Sequence, residues 1–128
     1  MSKHETPMIM KYWEKVGGTL ILEFPVVKQT KETGPRRLDA VILPNGPKTK
    51  ASWRDVSLKG QDVIVVQAKA NRLGMYLMGQ TLFSAELIKR FEPASIRSVA
   101  LCAKDDSIMR PMLERFNGME VVVLEEMG

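Results

Sequence analysis

Hydrophobic residues recur along the chain with two periods, one typical of helices and one typical of strands. A helical period that follows Thr6-Pro7 and stops at Gly17-Gly18 predicts an amphipathic helix over residues 7–16. Segments rich in Val, Ile, Leu and Phe predict strands, and these segments cover residues 19–27, 36–43, 62–70, 95–103 and 119–124. A further short strand is predicted over 53–58, and helical spacing predicts helices over 73–91 and 107–116.

The order of these elements predicts how the strands pair. Three strands in succession favour antiparallel pairing, whereas each later strand-helix-strand step needs a crossover and favours parallel pairing. Residues 62–70 are apolar on both faces, which predicts a central strand covered on both sides. Pro25 predicts an edge position or a bulge near the end of the first strand. We therefore expect an α/β fold with a mixed central sheet and helices on both faces.

The helix over 73–91 carries a broad apolar stripe that we expect to face the sheet. The stripe consists of Leu73, Tyr76, Leu77, Gln80, Phe83, Leu87, Ile88 and Phe91. Gln80 is polar in the middle of that stripe, which marks it as a residue with either a buried hydrogen bond or a functional contact.

Composition excludes several classes of protein. The 128 residues suit a single domain, and the net charge of +4 is too small to indicate a partner by itself. Cys102 is the only cysteine and His4 the only histidine, which excludes a disulfide framework and a Cys/His zinc site. The chain has no HExxH, P-loop or GxGxxG motif, and we expect no organic cofactor. Because one cysteine and one histidine cannot form a metal site by themselves, any metal should be held mainly by oxygen ligands.

The sequence also predicts where the protein resides. No apolar run approaches the roughly 20 residues that span a bilayer. The first residues, MSKHETPMIMKYWEK, lack the apolar core of a signal peptide. We therefore expect a cytoplasmic protein with no membrane partner.

Polar residues interrupt two strands at positions where a packed core prefers apolar ones. Strand alternation places Gln67 and Lys69 on one face of the central strand, and Asp39 can lie beside them from a neighbouring strand. The Asp39 carboxylate, the Gln67 side-chain oxygen and the Ala68 backbone carbonyl suit Mg²⁺ or Mn²⁺. Lys69 would then orient a metal-bound water. The alternative is a structural salt bridge between Asp39 and Lys69.

Positive charge is concentrated in one segment. Between Lys28 and Lys59 there are eight basic and three acidic residues, a local net charge of +5. Such a segment is typical either of solvated loops or of a surface that contacts phosphates. The residues that could contact nucleic acid, together with Gln80, are Arg36, Arg37, Lys48, Lys50, Arg54 and Arg72.

Two motifs and their placement resemble the PD-(D/E)XK nuclease superfamily. RLDAVI over 37–42 and VVQAK over 65–69 look like its two metal-site strands, and the helix that carries Gln80 follows them. The resemblance implies an αβββαβ restriction-endonuclease-like core over about 6–103 of the single domain, with an added helix and strand over 104–124. The Gln-x-Lys version of the motif resembles Mrr-type nucleases.

The resemblance also implies an activity and a set of residues. It implies a Mg²⁺-dependent endonuclease that hydrolyses DNA, with Asp39 as metal ligand, Gln67 in place of the usual Glu or Asp, and Lys69 as catalytic lysine. A third carboxylate is expected from the first helix, where Glu14 is the candidate and Glu23 in the first strand its substitute. Gln80 would support the site or meet the substrate backbone.

Two alternatives remain open at this stage. The first is a nuclease-fold protein that has lost catalysis and serves as a nucleic-acid-binding or assembly subunit, because Gln67 is neutral. The second is a small α/β protein-interaction module. A single active site cuts one strand at a time, so we also expect a homodimer, with the strand over 119–124 as one candidate interface.

Overall fold

The computed structural model describes residues 3–127, which form three helices around a six-stranded sheet. The helices are α1 (Glu5–Val16), α2 (Met75–Ile88) and α3 (Met109–Glu114). The strands are β1 (Thr19–Val27), β2 (Arg36–Leu43), β3 (Thr49–Lys50), β4 (Asp62–Arg72), β5 (Ser95–Lys104) and β6 (Met119–Val123).

The sheet is mixed and follows the order β3-β1-β2-β4-β5-β6. β1 pairs antiparallel with β2, and β2 pairs antiparallel with β4. β4 pairs parallel with β5, and β5 pairs parallel with β6. The predicted α/β class, the mixed pairing and the central position of β4 are therefore confirmed. β6 lies at one edge of the sheet, as the sequence also predicts.

Helices cover both faces of the sheet because β4 is apolar on both faces. Ile64, Val66 and Ala68 pack in the core that includes α1. Val63 and Val65 point the other way and pack with Ile88 near the end of α2. The alternation predicted for the central strand is thus confirmed, and it fixes Gln67 on the α2 side of the sheet.

The buried face of α2 differs from the predicted stripe. The buried residues of the helix are Leu77, Thr81, Ser84, Ala85 and Ile88. Tyr76 and Phe83, predicted to be in the core, are 72% and 69% exposed. Two of these residues make hydrogen bonds to the sheet: the Ser84 hydroxyl accepts from the Gln67 amide nitrogen (2.8 Å), and the Thr81 carbonyl accepts from the Ser98 hydroxyl (2.8 Å). The Thr81 hydroxyl donates within the helix to the Leu77 carbonyl (2.8 Å).

Two smaller expectations have different outcomes. The prediction of a strand over 53–58 is wrong, because Trp53–Asp55 forms a 3-10 turn. The Ser52 hydroxyl caps this turn by accepting from the Arg54 N–H (3.2 Å). The irregularity expected near Pro25 is confirmed by a register shift between Pro25 and Val27. Within residues 3–127, no helix combines the length and the apolar character needed to cross a bilayer.

Candidate functional site

β2 and β4 part from each other at Asp39, and side chains join them beyond that point. Backbone pairing between the two strands includes Ala40 with Val66 and stops there. The Asp39 carboxylate then accepts a hydrogen bond from the Ala68 N–H (2.9 Å). The Gln67 side-chain oxygen accepts from the Asp39 N–H (3.3 Å). The predicted juxtaposition of Asp39 with Gln67 and the Ala68 backbone is therefore present.

β1 and β2 share a backbone irregularity at Glu23 and Asp39, where the register of the pair does not change. Glu23 lies in β1 between Leu22 and Phe24, which pair with Ala40 and Leu38 on either side of Asp39. Its φ of 54° is in the left-handed region, which a non-glycine residue adopts at a cost. Strained backbone of this kind is concentrated at functional sites.

This irregularity changes which face of the sheet the neighbouring residues contact. Leu38 and Val41 pack in the same core although they are three positions apart. Ile21 and Phe24 of β1 also share that core. Regular alternation would place such pairs on opposite faces, so the alternation is interrupted once in each strand, between Ile21 and Phe24 and between Leu38 and Val41. Asp39 is thereby left half-buried between the two cores.

Two other carboxylates, Glu23 and Glu5, act on the Asp39 carboxyl. Burial raises the pKa of the Asp39 carboxyl, the Ala68 N–H hydrogen bond lowers it, and the charges of Glu23 and Glu5 raise it further. Glu5, in the first turn of α1, accepts from the Ala70 N–H (3.2 Å). Asp39 and Glu5 each accept from a backbone N–H of β4, and the charge of Glu23 acts on Asp39. A cation bound at Asp39 would offset the repulsion among these carboxylates.

Gln67 is 5% exposed and connects β4 to β2 and to α2. Its amide nitrogen donates to the Ser84 hydroxyl of α2 (2.8 Å). Because the Asp39 N–H can only donate, the amide oxygen must face Asp39, which is where an oxygen ligand is required. The side chain therefore has a structural role and presents its oxygen to the opening.

Replacing Gln67 by Leu is expected to destabilise the fold. Leucine matches the side chain in size but leaves the Asp39 N–H and the Ser84 hydroxyl without their partner, which costs about 1–3 kcal/mol. The loss is measured as the difference in the free energy of unfolding between Gln67→Leu and the wild type in urea titrations. Ser84→Ala and the double variant are measured in the same way for comparison. Equal stability of Gln67→Leu and the wild type would show that the hydrogen bonds contribute nothing.

Lys69 is half-buried, with its ammonium nitrogen 5.1 Å from the centre of the Tyr76 ring. A cation over an aromatic face is held in place without a neutralising charge. Among the described residues, the salt bridges do not include one between Lys69 and Asp39, so the cross-strand ion pair that we kept as the structural alternative is not formed.

The two candidates for the third carboxylate lie in different places. Glu14 is exposed in the last turn of α1. It lies nine residues after Glu5, about 13 Å along the helix axis, so the structure does not bring it to Asp39. Glu23, its substitute, lies beside Asp39. Sequence reasoning missed Glu5 because the predicted helix began at residue 7, whereas α1 begins at Glu5.

A groove of about 490 Å³ lies between α2 and the start of β2. It is lined by Arg36, Arg37, Leu38, Gln67, Met75, Tyr76, Gly79, Gln80, Phe83, Ser84 and Leu87. Three of the predicted nucleic-acid contacts, Arg36, Arg37 and Gln80, thus meet in one cavity with Gln67 at its base. Lys69 lies above Tyr76 at its rim.

The other predicted contacts lie outside this groove. Lys50 pairs with Leu20, and Lys48 lies just before that short strand. Arg37 pairs with Pro25, which lies five residues after Leu20 in β1. Lys50 is therefore about 17 Å from Arg37 along the strand direction. Arg54 packs over the Trp53 ring at 4.6 Å, and Arg72 donates to the Asp105 carbonyl (2.6 Å).

The donor set at the opening suits a hard cation that is bound by oxygen. In the part of the chain that the structure describes, no three His, Cys, Asp or Glu side chains are close enough to form a metal cluster by themselves. The Asp39 carboxylate and the Gln67 oxygen are the side-chain oxygens beside the opening, and a carboxylate retains acceptor positions beyond the one used by Ala68. No protein-family model and no curated protein matches this chain.

Proposed function

We propose that the protein is a metal-dependent endonuclease that hydrolyses phosphodiester bonds in DNA, built on a restriction-endonuclease-like version of the α/β fold. The observation that carries the proposal is the opening between β2 and β4. There the Asp39 carboxylate accepts from the Ala68 N–H, the Gln67 oxygen accepts from the Asp39 N–H, and the charges of Glu23 and Glu5 act on Asp39.

The proposal assigns each residue of the opening a role. Asp39, the Gln67 oxygen and the Ala68 carbonyl would hold Mg²⁺ or Mn²⁺. Such a cation, when bound, neutralises charge on a phosphodiester and makes a bound water more acidic. Lys69 orients the attacking water and stabilises negative charge that develops on the phosphate. Glu23 adds negative charge beside Asp39, where the resemblance led us to expect a third carboxylate.

The groove supplies a path for the DNA backbone next to these residues. Arg36 and Arg37 are exposed at its wall, and their guanidinium groups suit phosphate contacts that fix position without reading sequence. The proposed substrate also implies a cytoplasmic protein. A homodimer through β6, an edge strand, would provide the second active site needed to cut both strands of a duplex.

Removing Arg36 and Arg37 together is expected to weaken DNA binding by at least about tenfold and to lower its salt dependence. Each phosphate contact contributes about 0.9 to the slope of log K against log salt on duplex DNA, so the slope should fall by about 2. Fluorescence anisotropy at several salt concentrations measures this slope. Lys48→Ala/Lys50→Ala removes the same charge outside the groove, and an equal loss in both variants would contradict a role for the groove.

The proposal is tested by incubating the protein with labelled single-stranded, duplex and branched DNA in Mg²⁺, in Mn²⁺ and in chelator. Cleavage that needs the metal and leaves defined 5′ and 3′ ends supports the nuclease. DNA binding without cleavage in any condition would overturn catalysis. Neither binding nor cleavage would leave the protein-interaction module as the better account.

One observation favours the second candidate, a nucleic-acid-binding or assembly subunit without catalysis. Gln67 carries no charge, and both ends of its amide already make hydrogen bonds. A site with one fewer carboxylate binds divalent cations more weakly. This candidate predicts salt-dependent DNA binding that neither metal nor the Asp39→Asn variant changes.

A further inference from the structure

Large apolar side chains of α2 are exposed along one wall of the groove. Met75, Tyr76 and Phe83 are 76%, 72% and 69% exposed. Each of them lines the groove, and none is needed by the buried face of the helix. Exposed aromatic rings that share a concave surface indicate a ligand that covers them.

The opposite wall of the groove is basic. Arg36 and Arg37 line it, and the Lys69 ammonium lies over the Tyr76 ring. Among the residues that the structure describes, no acidic side chain lines the groove. The occupant should therefore combine flat apolar surfaces with negative charge, which describes a polynucleotide whose bases are unpaired.

The middle of the α2 wall contains a glycine that the fold does not require. Gly79 lies inside the helix, where glycine is less stable than alanine. A Cβ atom added there would meet no atom within 4 Å, so close packing does not explain the glycine. Gly79 lines the groove between Tyr76 and Phe83, and its missing side chain keeps the space between the rings open.

The spacing of the rings suits more than one base. Tyr76 and Phe83 are seven residues apart, two helical turns, or about 10.5 Å along the helix axis. Gln80 lies between them and lines the same groove, where its amide can donate to and accept from a base edge. Gln67 and Ser84 provide a polar base beneath the rings.

We propose that this groove binds unpaired nucleotides, with bases stacked on Tyr76 and Phe83 and phosphates held by Arg36 and Arg37, so that the substrate is DNA with a single-stranded segment. The inference rests on the proposed function in taking nucleic acid as the ligand of the groove. It adds that a continuous duplex, whose bases are already stacked on each other, is the poorer substrate.

Binding measured in chelator separates this inference from catalysis. The probes are a fluorescein-labelled 20-nucleotide strand and the same strand in a duplex, with anisotropy as the signal. We expect the wild type to prefer the single strand, and Tyr76→Ala and Phe83→Ala each to weaken its binding by about tenfold. Duplex binding should change by less than about threefold. Tyr76→Phe and Phe83→Tyr, which keep a ring, should bind as the wild type does.

Two further variants control for folding and for general exposure. Gly79→Leu fills the space between the rings without removing them, and it should weaken single-strand binding while thermal stability is kept or raised. Phe116→Ala removes an aromatic ring that is 54% exposed on the α3 side, outside the groove, and should leave DNA binding unchanged.

The outcomes distinguish this inference from the nuclease. Ring-dependent binding of the single strand without cleavage in Mg²⁺ would support the inference and overturn the nuclease. Metal-dependent cleavage with equal affinity for both probes, unaffected by the ring variants, would overturn the inference and support the nuclease. A dimer in light scattering that Tyr76→Ala/Phe83→Ala dissociates, with DNA binding intact, would assign the groove to a second copy and overturn the inference.

Discussion

Replacing Asp39 by Asn is expected to abolish metal-dependent DNA cleavage, with a loss of at least about 10³-fold in the single-turnover rate. The cation in the proposed mechanism supplies several kcal/mol of transition-state stabilisation, and Asp39 is the carboxylate that we propose as its ligand, beside the Gln67 oxygen and the Ala68 backbone. Asparagine has nearly the same size and can still accept from the Ala68 N–H, so the loss would report charge rather than folding.

The same variant should be more stable than the wild type at neutral pH when no metal is present. Burial and the charges of Glu23 and Glu5 raise the pKa of the Asp39 carboxyl above 3.8. Because the folded-state pKa is raised, the free energy of unfolding falls as the pH rises from 3.8 through the folded-state pKa. Below 3.8 the Asp39 carboxyl is protonated in both the folded and the unfolded protein, so its ionisation no longer affects stability. We expect a gain of roughly 0.5–2 kcal/mol at pH 7 that disappears below about pH 4.

Thermal melts with and without Mg²⁺ measure both parts of this prediction. Mg²⁺ should raise the melting temperature of the wild type and leave that of Asp39→Asn unchanged, because only the wild type binds the ion. Asp55→Asn, the same change at an exposed position outside the opening, should cut DNA as the wild type does. Asp39→Asn that responds to Mg²⁺ as the wild type does would contradict the metal site.

Replacing Lys69 by Met is expected to lower the cleavage rate by about 10²- to 10³-fold, the usual effect of removing one preorganised charged group from an active site. Methionine keeps most of the length of the side chain and its contact with Tyr76. Because Lys69 is not a proposed ligand, the Mg²⁺ concentration that gives half-maximal cleavage should stay the same. The split between rate and metal affinity distinguishes catalysis from binding.

Lys104→Met is the matched control for Lys69→Met. Lys104 lies on the neighbouring strand β5 and is exposed, so its loss removes the same charge without touching the opening. We expect cleavage by this variant to remain within about twofold of the wild type. If both lysine variants lose the same activity, the effect is one of total charge, and Lys69 has no specific role.

Much of the fold follows from hydrophobic spacing because strands and helices differ in period. DVIVVQAKA over 62–70 is apolar on both faces, and such a run is buried only in the middle of a covered sheet. The buried face of α2 could not be predicted in the same way. That helix carries apolar residues on nearly every side, so its period does not single out a face, and the predicted stripe did not include the small residues Thr81 and Ser84.

The candidate site was partly predictable for a different reason. Asp39, Gln67 and Lys69 are polar residues inside apolar strands, and the pairing of β2 with β4 brings the first two together. Three features depend on geometry that no local pattern reports. These are the left-handed backbone of Glu23, the approach of Glu5 to Ala70, and the exposure of Tyr76 and Phe83. Glu14 was chosen for its helix, but its position in the last turn removes it from the opening.

A metal-dependent nuclease site at Asp39 is tested most directly by one cleavage assay on labelled DNA with a single-stranded segment. The three reactions are the wild type in Mg²⁺, the wild type in chelator, and Asp39→Asn in Mg²⁺. We expect cleaved product only in the first reaction, because cleavage should need both the metal and Asp39. Product in the chelator reaction, or an undiminished rate with Asp39→Asn, would contradict a metal-dependent nuclease centred on the opening between β2 and β4.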